Sequence, residues 1–505
     1  MSCKYSQHHG GNYSKGSFDR GGNVPKGRFQ ETGRFGRMMP YLRSLSSFEP
    51  GPTALGVVGG PMDGGVDPTD TSQDNPRIKA GYTFLGQFID HDLTLDATST
   101  LEQQIDPQAT QNFRTPALEL DSVYGLGPKV MPYLYDQDEP GKMVLGTTDH
   151  DLPRNSQGTA LIGDPRNDEN VIIAQLHLLF LKFHNKVFDV ATDPSSGWEA
   201  RYEKAQSLTR WHYQWIVVNE FLTRTVGSEL IKDAIANVPF RYPADSYPFM
   251  PVEFSAAAYR FGHSQVRPGY RLSEANFGQE GARGAALFPN DPTAVNSSDN
   301  VGDLRGGRHI PEALRIDWAA FFGQTAQPGK LIDIRLATPL LQLPDGIVDQ
   351  GSEPSRRSLA SRNLQRGIDA SLPSGQSVAA HLRIPQRLTD KQIWKDVSGG
   401  KGPAPLWFYC LREAEALAEG MHLAGAGAQI VARTFAAILE ADKASYLVQM
   451  PDWVPTFSAS GDFSFSDLIN FTLGSAITSE TVEKLPGSAQ FAKQSKRRKP
   501  LVSAE

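Results

Sequence analysis

The residues best suited to chemistry crowd into one stretch, Tyr82-Thr83-Phe84-Leu85-Gly86-Gln87-Phe88-Ile89-Asp90-His91-Asp92-Leu93. Phe84 and Phe88 are four apart, as are Leu85 and Ile89, so the spacing predicts a helix with a buried apolar stripe. Gln87 and His91 are also four apart and project from one face. An amide that can hold water or a small molecule then lies beside an imidazole that can take up a proton and return it. Asp90, three residues after Gln87, shares that side; Asp92 lies about 100° further round from His91 and looks elsewhere. So many polar groups in an apolar helix are costly unless partners satisfy them. Taken alone, the Asp-His-Asp triplet reads more readily as a solvated or paired helix surface.

Three further segments carry candidate groups. Gly163-Asp164-Pro165-Arg166-Asn167-Asp168-Glu169-Asn170 is a turn that leads into the most apolar helix of the chain. Its acids also suit a helix start on electrostatic grounds alone. Ala258-Tyr259-Arg260-Phe261-Gly262-His263-Ser264 sets a glycine before a histidine in a predicted helix from Glu253 to Arg267. Such a glycine costs about 1 kcal/mol against alanine, which suggests a bulky group passing close to the backbone. A lone core histidine is, however, more often a satisfied hydrogen-bonder than a ligand. The fourth is Arg362-Asn363-Leu364-Gln365-Arg366-Gly367, followed by Leu372-Pro373-Ser374-Gly375.

The elements that must position these groups are helical. A buried helix is expected over Asn170–Ala191, and an aromatic-rich one over Trp198–Thr225. Shorter pieces are expected in 311–342, then Pro403–Gly420, Ala428–Ala441 and Ser466–Phe471, with Gly425-Ala426-Gly427 either a close approach or a break. Turns are expected at Asp121-Ser122, Tyr124–Pro128 and Asp164-Pro165, and a polar loop over 272–310. Strand-like alternation is scarce. The predicted class is mainly α, a single large helical domain (residues 36–485) with long loops and very little β. A disordered Gly/Ser/Arg-rich tail (1–35) and a polar basic tail (486–505) flank it. Of 505 residues, 39% are hydrophobic and 21% charged, with net charge −6, which gives no global argument for nucleic acid or an anionic membrane. The basic run Lys496-Arg497-Arg498-Lys499 reads as solvated charge. Two cysteines, Cys3 and Cys410, rule out a cysteine metal cluster. No signal peptide is seen, so the expectation is a cytoplasmic protein or export by a signal-independent route. No uncharged apolar run reaches about 18 residues, and no membrane span is expected.

In their order, the four segments resemble the animal-type haem peroxidase superfamily, from about Pro40 to Pro455. Leu118-Glu119-Leu120-Asp121-Ser122-Val123-Tyr124-Gly125, Pro405-Leu406-Trp407-Phe408-Tyr409 and Leu439-Glu440-Ala441-Asp442 resemble its bacterial branch. The resemblance implies haem, with His91 as distal base, Arg166 as distal arginine and Gln87 holding water or a small anion. It implies His263 as proximal iron ligand, Asn363 accepting the other ring N–H of His263 through its side-chain oxygen, and Arg260 near a propionate. Asp90 and Glu169 match the carboxylates that esterify haem in some members. A third, sulfonium link is excluded because the position after the glutamate is Asn170. The resemblance also implies Ca²⁺ held by Asp92 and by Thr115, Ala117, Glu119 and Asp121, with Glu119 standing where a shorter Asp is usual. His184-Asn185 and His177 are read as structural.

The expected activity is reduction of hydrogen peroxide with oxidation of bromide, iodide, thiocyanate or phenolic donors. Fatty-acid oxygenase relatives carry a radical-forming tyrosine three residues before the proximal histidine, where this chain has Arg260; Tyr259 is one residue off. A non-enzymatic haem- or calcium-binding matrix protein would not need the full distal set. A metal hydrolase around His91 and Asp92 lacks a third ligand at plausible spacing.

Overall fold

The computed structural model describes residues 35–95, 112, 114–242, 248–275, 280–291, 293–458 and 460–474. The expected tails, Cys3 and the basic run at 496–499 lie outside them. The described residues are mainly helical, and their strands form only three two-stranded pairings. Phe35–Gly36 runs parallel to Met250–Pro251, Asp74–Lys79 antiparallel to Pro328–Lys330, and Gly269–Arg271 antiparallel to Gly284–Ala286.

Helix α1 spans Ala80–Leu93 and α2 spans Val171–Ala191. They pack together through Phe88 and Phe180, whose rings stack at 4.7 Å. Asn170 caps α2, its side chain accepting from the Ile172 and Ile173 N–H groups at 3.1 and 2.9 Å. That side chain satisfies donors the helix leaves unpaired and fixes where the preceding turn must end. By length and composition α2 could cross a membrane, yet 83% of that stretch is buried inside the protein.

Helix α3, Trp198–Ile216, packs on α2 and continues through a π-turn, Val217–Phe221, into Leu222–Thr225. The π-turn presents Glu220 to two partners: it accepts from the Tyr82 hydroxyl of α1 and from the Phe465 N–H at 2.7 Å. Helices α4 (Leu359–Asp369), α5 (Leu406–Ala418), α6 (Gly425–Ala441) and α7 (Phe465–Leu473) complete the scaffold. The buried apolar side chains form one contiguous cluster from Phe35 to Phe471, with a small satellite around Trp211, Tyr446 and Trp453.

The structure departs from the sequence reading in some places and decides between its alternatives in others. The expected helix over Glu253–Arg267 is two short pieces, Val252–Ser255 and a 3₁₀ segment, Ala258–His263. Ala257 between them has φ −138°, ψ −82°, which no α-helix accommodates. Asp121-Ser122 opens a single helical turn, Asp121–Tyr124, after Leu120 adopts a left-handed φ of 58°. Gly425-Ala426-Gly427 lies inside the first turn of α6, so it serves close approach and does not break the helix. A Cβ on Gly427 would stand 3.0 Å from that of Cys410 on α5. The polar stretch 272–310 contains the short strand Gly284–Ala286.

Candidate active site

Helix α1 carries the first half of the site because its two faces have different neighbours. One face packs on α2, while the 165–168 turn and the 258–263 segment also contact the helix. Gln87 and His91 come together as their spacing requires, and Glu169 joins them. Gln87 Nε2 donates to Glu169 Oε1 at 2.7 Å, and His91 Nε2 lies 3.4 Å from the same oxygen. His91 is buried, whereas the Glu169 side chain is about half exposed. Burial raises the Glu169 pKa, but the His91 contact, the nearby Arg166 charge and the Gln87 hydrogen bond outweigh it and hold the carboxyl below its ordinary range.

Arg166 is anchored, not free. Its backbone N–H, Nε and Nη2 all donate to Asp164, at 2.9, 3.1 and 2.8 Å. Nη2 also donates to the carbonyls of His91, at 3.1 Å, and Thr94. These carbonyls end α1, where the helix dipole favours a cation. Asp164 is fully buried and shared with a second arginine, Arg114, whose Nη2 donates at 2.6 Å. Burial alone would raise its pKa, but the two guanidinium charges hold it far below the carboxylate range. Sequence reasoning missed Asp164 and Arg114 as a unit, since their 50-residue separation leaves no local signal. It also missed Asn167, whose Oδ1 lies 2.7 Å from His91 Nδ1.

His263 ends the 3₁₀ segment. Burial, with the Arg260 charge, lowers its pKa to about 3, so the ring is neutral. Asn363 reaches it from α4 at 2.7 Å. The expected polarity is reversed: the Asn363 amide nitrogen faces His263 Nδ1, while its oxygen accepts from Arg260 Nη1 at 3.1 Å. The physical reason is Arg260, which has only donors and so draws the amide oxygen toward itself. Trp407 of α5 fixes the segment from behind, its indole donating to the Arg260 carbonyl at 3.2 Å. Asp90 is near enough for its charge to act on both Tyr259 and Arg260.

The residues fit a large dianionic macrocycle. Arg362 and Arg366 have no acidic partner among the described residues, and their charges press on Arg260, whose pKa burial and these neighbours lower to about 10. Three mutually repelling guanidinium groups invite carboxylates. Gly262 borders open space: a Cβ there would meet nothing within 4 Å.

Asp92 turns away from His91, as its angle on the helix requires, and is fully buried. The Leu120 N–H and Tyr213 hydroxyl are nearby, but neither completes a hydrogen bond of normal geometry to its carboxylate oxygens. Burial first, then the Asp121 charge, pushes its pKa well above the usual value. The loop Thr115–Asp121 wraps this position: the Thr115 hydroxyl donates to Glu119 Oε1, and Arg114 lies 3.5 Å from Asp121. From α3, Arg210 and Gln214 clamp the loop through the Glu119 and Leu118 carbonyls, at 2.6 and 2.9 Å. A hard cation fits this crowding of buried carboxylates. Among the described residues no three acidic, histidine or cysteine side chains converge tightly enough to hold a metal unaided. Backbone oxygens, from residues such as Thr115 and Ala117, would have to complete the shell.

Residues 99–398, more than half of the chain, match the family model described as animal haem peroxidase. The chain belongs to that family. The matched range contains the loop at 115–121, Arg166, Glu169, His263 and Asn363, but begins after Gln87 and His91. Human thyroid peroxidase is 28% identical over 235 residues, 44% of this chain and 22% of that protein. Drosophila melanogaster dual oxidase is 27% identical over 245 residues, 47% of this chain and 14% of that protein. The chain thus matches less than a quarter of the length of either. Among solved structures, peroxidase A from Dictyostelium discoideum superposes with TM-score 0.55 at 17% identity, covering 88% of this chain and 87% of its own. Fatty acid alpha-dioxygenase from Oryza sativa gives 0.54 at 16%, covering 83% and 76%. At these identities both likenesses speak for the fold alone.

Proposed function

We propose that this chain is a haem peroxidase that reduces hydrogen peroxide and oxidises small anions (bromide, iodide or thiocyanate) or phenolic donors. One observation carries the reading: two imidazoles on separate elements, His91 and His263, each meet an asparagine at Nδ1, at 2.7 Å in both cases. At His91 the asparagine oxygen leaves Nε2 as a proton acceptor; at His263 the asparagine nitrogen faces Nδ1, so iron at Nε2 would require the Asn363 amide to turn and accept the Nδ1–H. His263 would hold the iron, Arg260, Arg362 and Arg366 the propionates, and Asp90 and Glu169 would be the candidates for ester links. When bound, haem supplies the iron that activates peroxide and stores the oxidising equivalents. His91 would take the peroxide proton at Nε2 and return it to the leaving oxygen; Gln87 would orient peroxide or water; Arg166 would offset developing negative charge. Ca²⁺ at Asp92, with Thr115, Ala117, Glu119 and Asp121, would stiffen the helix end that bears His91.

The alternative is a fatty-acid oxygenase, favoured by the likeness to the alpha-dioxygenase. Tyr259 speaks against it. Its hydroxyl donates to the Gly86 carbonyl at 3.2 Å, and its ring is caged by Phe221, Phe254, Phe261 and Phe435. The test is to load the full chain with haem and calcium, record the visible spectrum, and add peroxide with iodide, a phenol or linoleate. A Soret band and peroxide-dependent iodide or phenol oxidation are expected, with His91→Ala slower by about 10²–10⁴-fold. No Soret band, or turnover of linoleate alone, sinks the reading. Haem that resists acid-acetone extraction supports the esters.

A further inference from the structure

His91 is the end of a buried three-residue chain. Its Nδ1 lies 2.7 Å from Asn167 Oδ1, and Asn167 Nδ2 lies 2.9 Å from His177 Nδ1 on α2. Asn167 and His177 are both fully buried, and His177 Nε2 has no hydrogen-bond partner among the described residues. Sequence reading leaves His177 in the core and gives Asn167 no role. We propose that Asn167 and His177 are positioning residues that fix the tautomer of His91: Asn167 holds the His91 proton on Nδ1, and His177 holds Asn167 in the orientation that does so. The inference rests on the peroxidase reading for its kinetic consequence, but not for the tautomer itself.

A neutral imidazole carries one proton, and the partner of one nitrogen decides which. The Asn167 oxygen can only accept, so at 2.7 Å it calls for N–H at Nδ1 and leaves Nε2 without a proton, 3.4 Å from Glu169 Oε1, to which it donates only after taking up a second proton. An amide can turn over, which would place its NH₂ against His91 and force the proton to Nε2, leaving no base there. His177 opposes this turn by offering its Nδ1 lone pair to the amide N–H. An asparagine carries no charge and relays no proton readily, and the unpartnered His177 Nε2 gives the chain no continuation. It is therefore a lock and not a proton exit: a proton taken at Nε2 can leave only on the side where it arrived, toward the leaving oxygen or Glu169. The competing arrangement is Nε2–H directed at Glu169, whose distance of 3.4 Å is long for a hydrogen bond and whose side chain is half exposed.

The test uses the full chain, haem-loaded and in its diamagnetic ferrous carbon monoxide form, with ¹⁵N-labelled histidine. Long-range ¹H–¹⁵N spectra read the tautomer of His91, assigned by its loss in His91→Gln. Wild type and Asn167→Asp, which keeps the acceptor, are expected to show the proton on Nδ1. Asn167→Val and His177→Leu are expected to lose that single state. Stopped-flow reaction of the ferric enzyme with peroxide should slow at least about tenfold in Asn167→Val and stay within about threefold of wild type in Asn167→Asp. An unchanged Soret maximum and melting temperature show that a variant is folded. A wild-type proton on Nε2, or an Asn167→Val protein with unaltered tautomer and rate, overturns the proposal. A wild type that never reacts with peroxide yet shows the Nδ1 proton refutes the peroxidase reading and leaves the lock standing.

Discussion

Asp164 has the densest set of charged contacts near the site. It pairs with Arg114 and Arg166 together and is itself shut off from solvent, whereas Arg166 is a quarter exposed. Removing one partner of a buried ionic cluster strands the others, so Asp164→Ala is expected to cost about 3–5 kcal/mol in chemical denaturation. The same change should release Arg166 and slow the peroxide reaction even in the folded fraction. If stability falls while the peroxide rate is untouched, Arg166 is not held in a working position by Asp164. What was legible at this scale followed from spacing. Gln87 and His91 had to share a face, and Asp92 had to leave it, because a helix allows nothing else. Arg114, Asn167 and the reversed Asn363 amide were not legible. Each depends on a contact between separate segments, and for Asn363 on the competing demand of a third residue.

Among the elements, α5 and α6 meet at a buried acid. Glu413 on α5 accepts from the Ala426 and Gly427 N–H groups that open α6, at 2.7 and 3.2 Å. Its other oxygen has no hydrogen-bond partner among the described residues and faces Gly425, where any Cβ would collide with it. Burial raises its pKa from 4.5 to about 8, against the pull of the two N–H groups. The folded state thus keeps a proton that the unfolded chain loses above pH 4.5. The contribution of Glu413 is full below that pH and is lost as pH rises through about 8. The slope approaches 1.4 kcal/mol per pH unit. Melting temperatures from pH 6 to 8 should fall less steeply in Glu413→Gln than in wild type; parallel curves would refute the buried proton. Glycines at 425 and 427 are visible in the sequence, but the acid they make room for is on another helix. The failed helix at 253–267 has the same lesson. Its composition suits a helix, yet the backbone must bend at Ala257 to set Arg260 and His263 against α4 and α5.

The whole molecule hangs together around charges that sequence alone leaves unbalanced. With Asp92 buried beside Glu119 and Asp121, calcium should raise the melting temperature and a chelator lower it, the stability gained being about 2.7 kcal/mol at a hundredfold excess over Kd. Since the folded Asp92 holds its proton more tightly than usual, cation binding must displace that proton. Apparent affinity should therefore rise with pH in calorimetric titrations. Asp92→Asn should stabilise the chelated protein and blunt the calcium response; an undiminished response would place the cation elsewhere. The mainly helical class was legible from scarce alternation and long apolar periods, whereas the three small strand pairings were not, being too short to leave a pattern. They belong to a wider habit of this chain, which joins its distant parts. Asn75, at the start of its strand, donates from its side chain to the Gly420 and Met421 carbonyls, the first of them 345 residues on, and His263 waits 100 residues for Asn363. Ribosomes add about 5–20 residues per second, so the ring of His263 stands without its partner for roughly 5–20 s, and Asn75 without its own for roughly 17–70 s. The fixing of His263 is therefore a late event of synthesis: the ring exists on the nascent chain well before the residue that orients it.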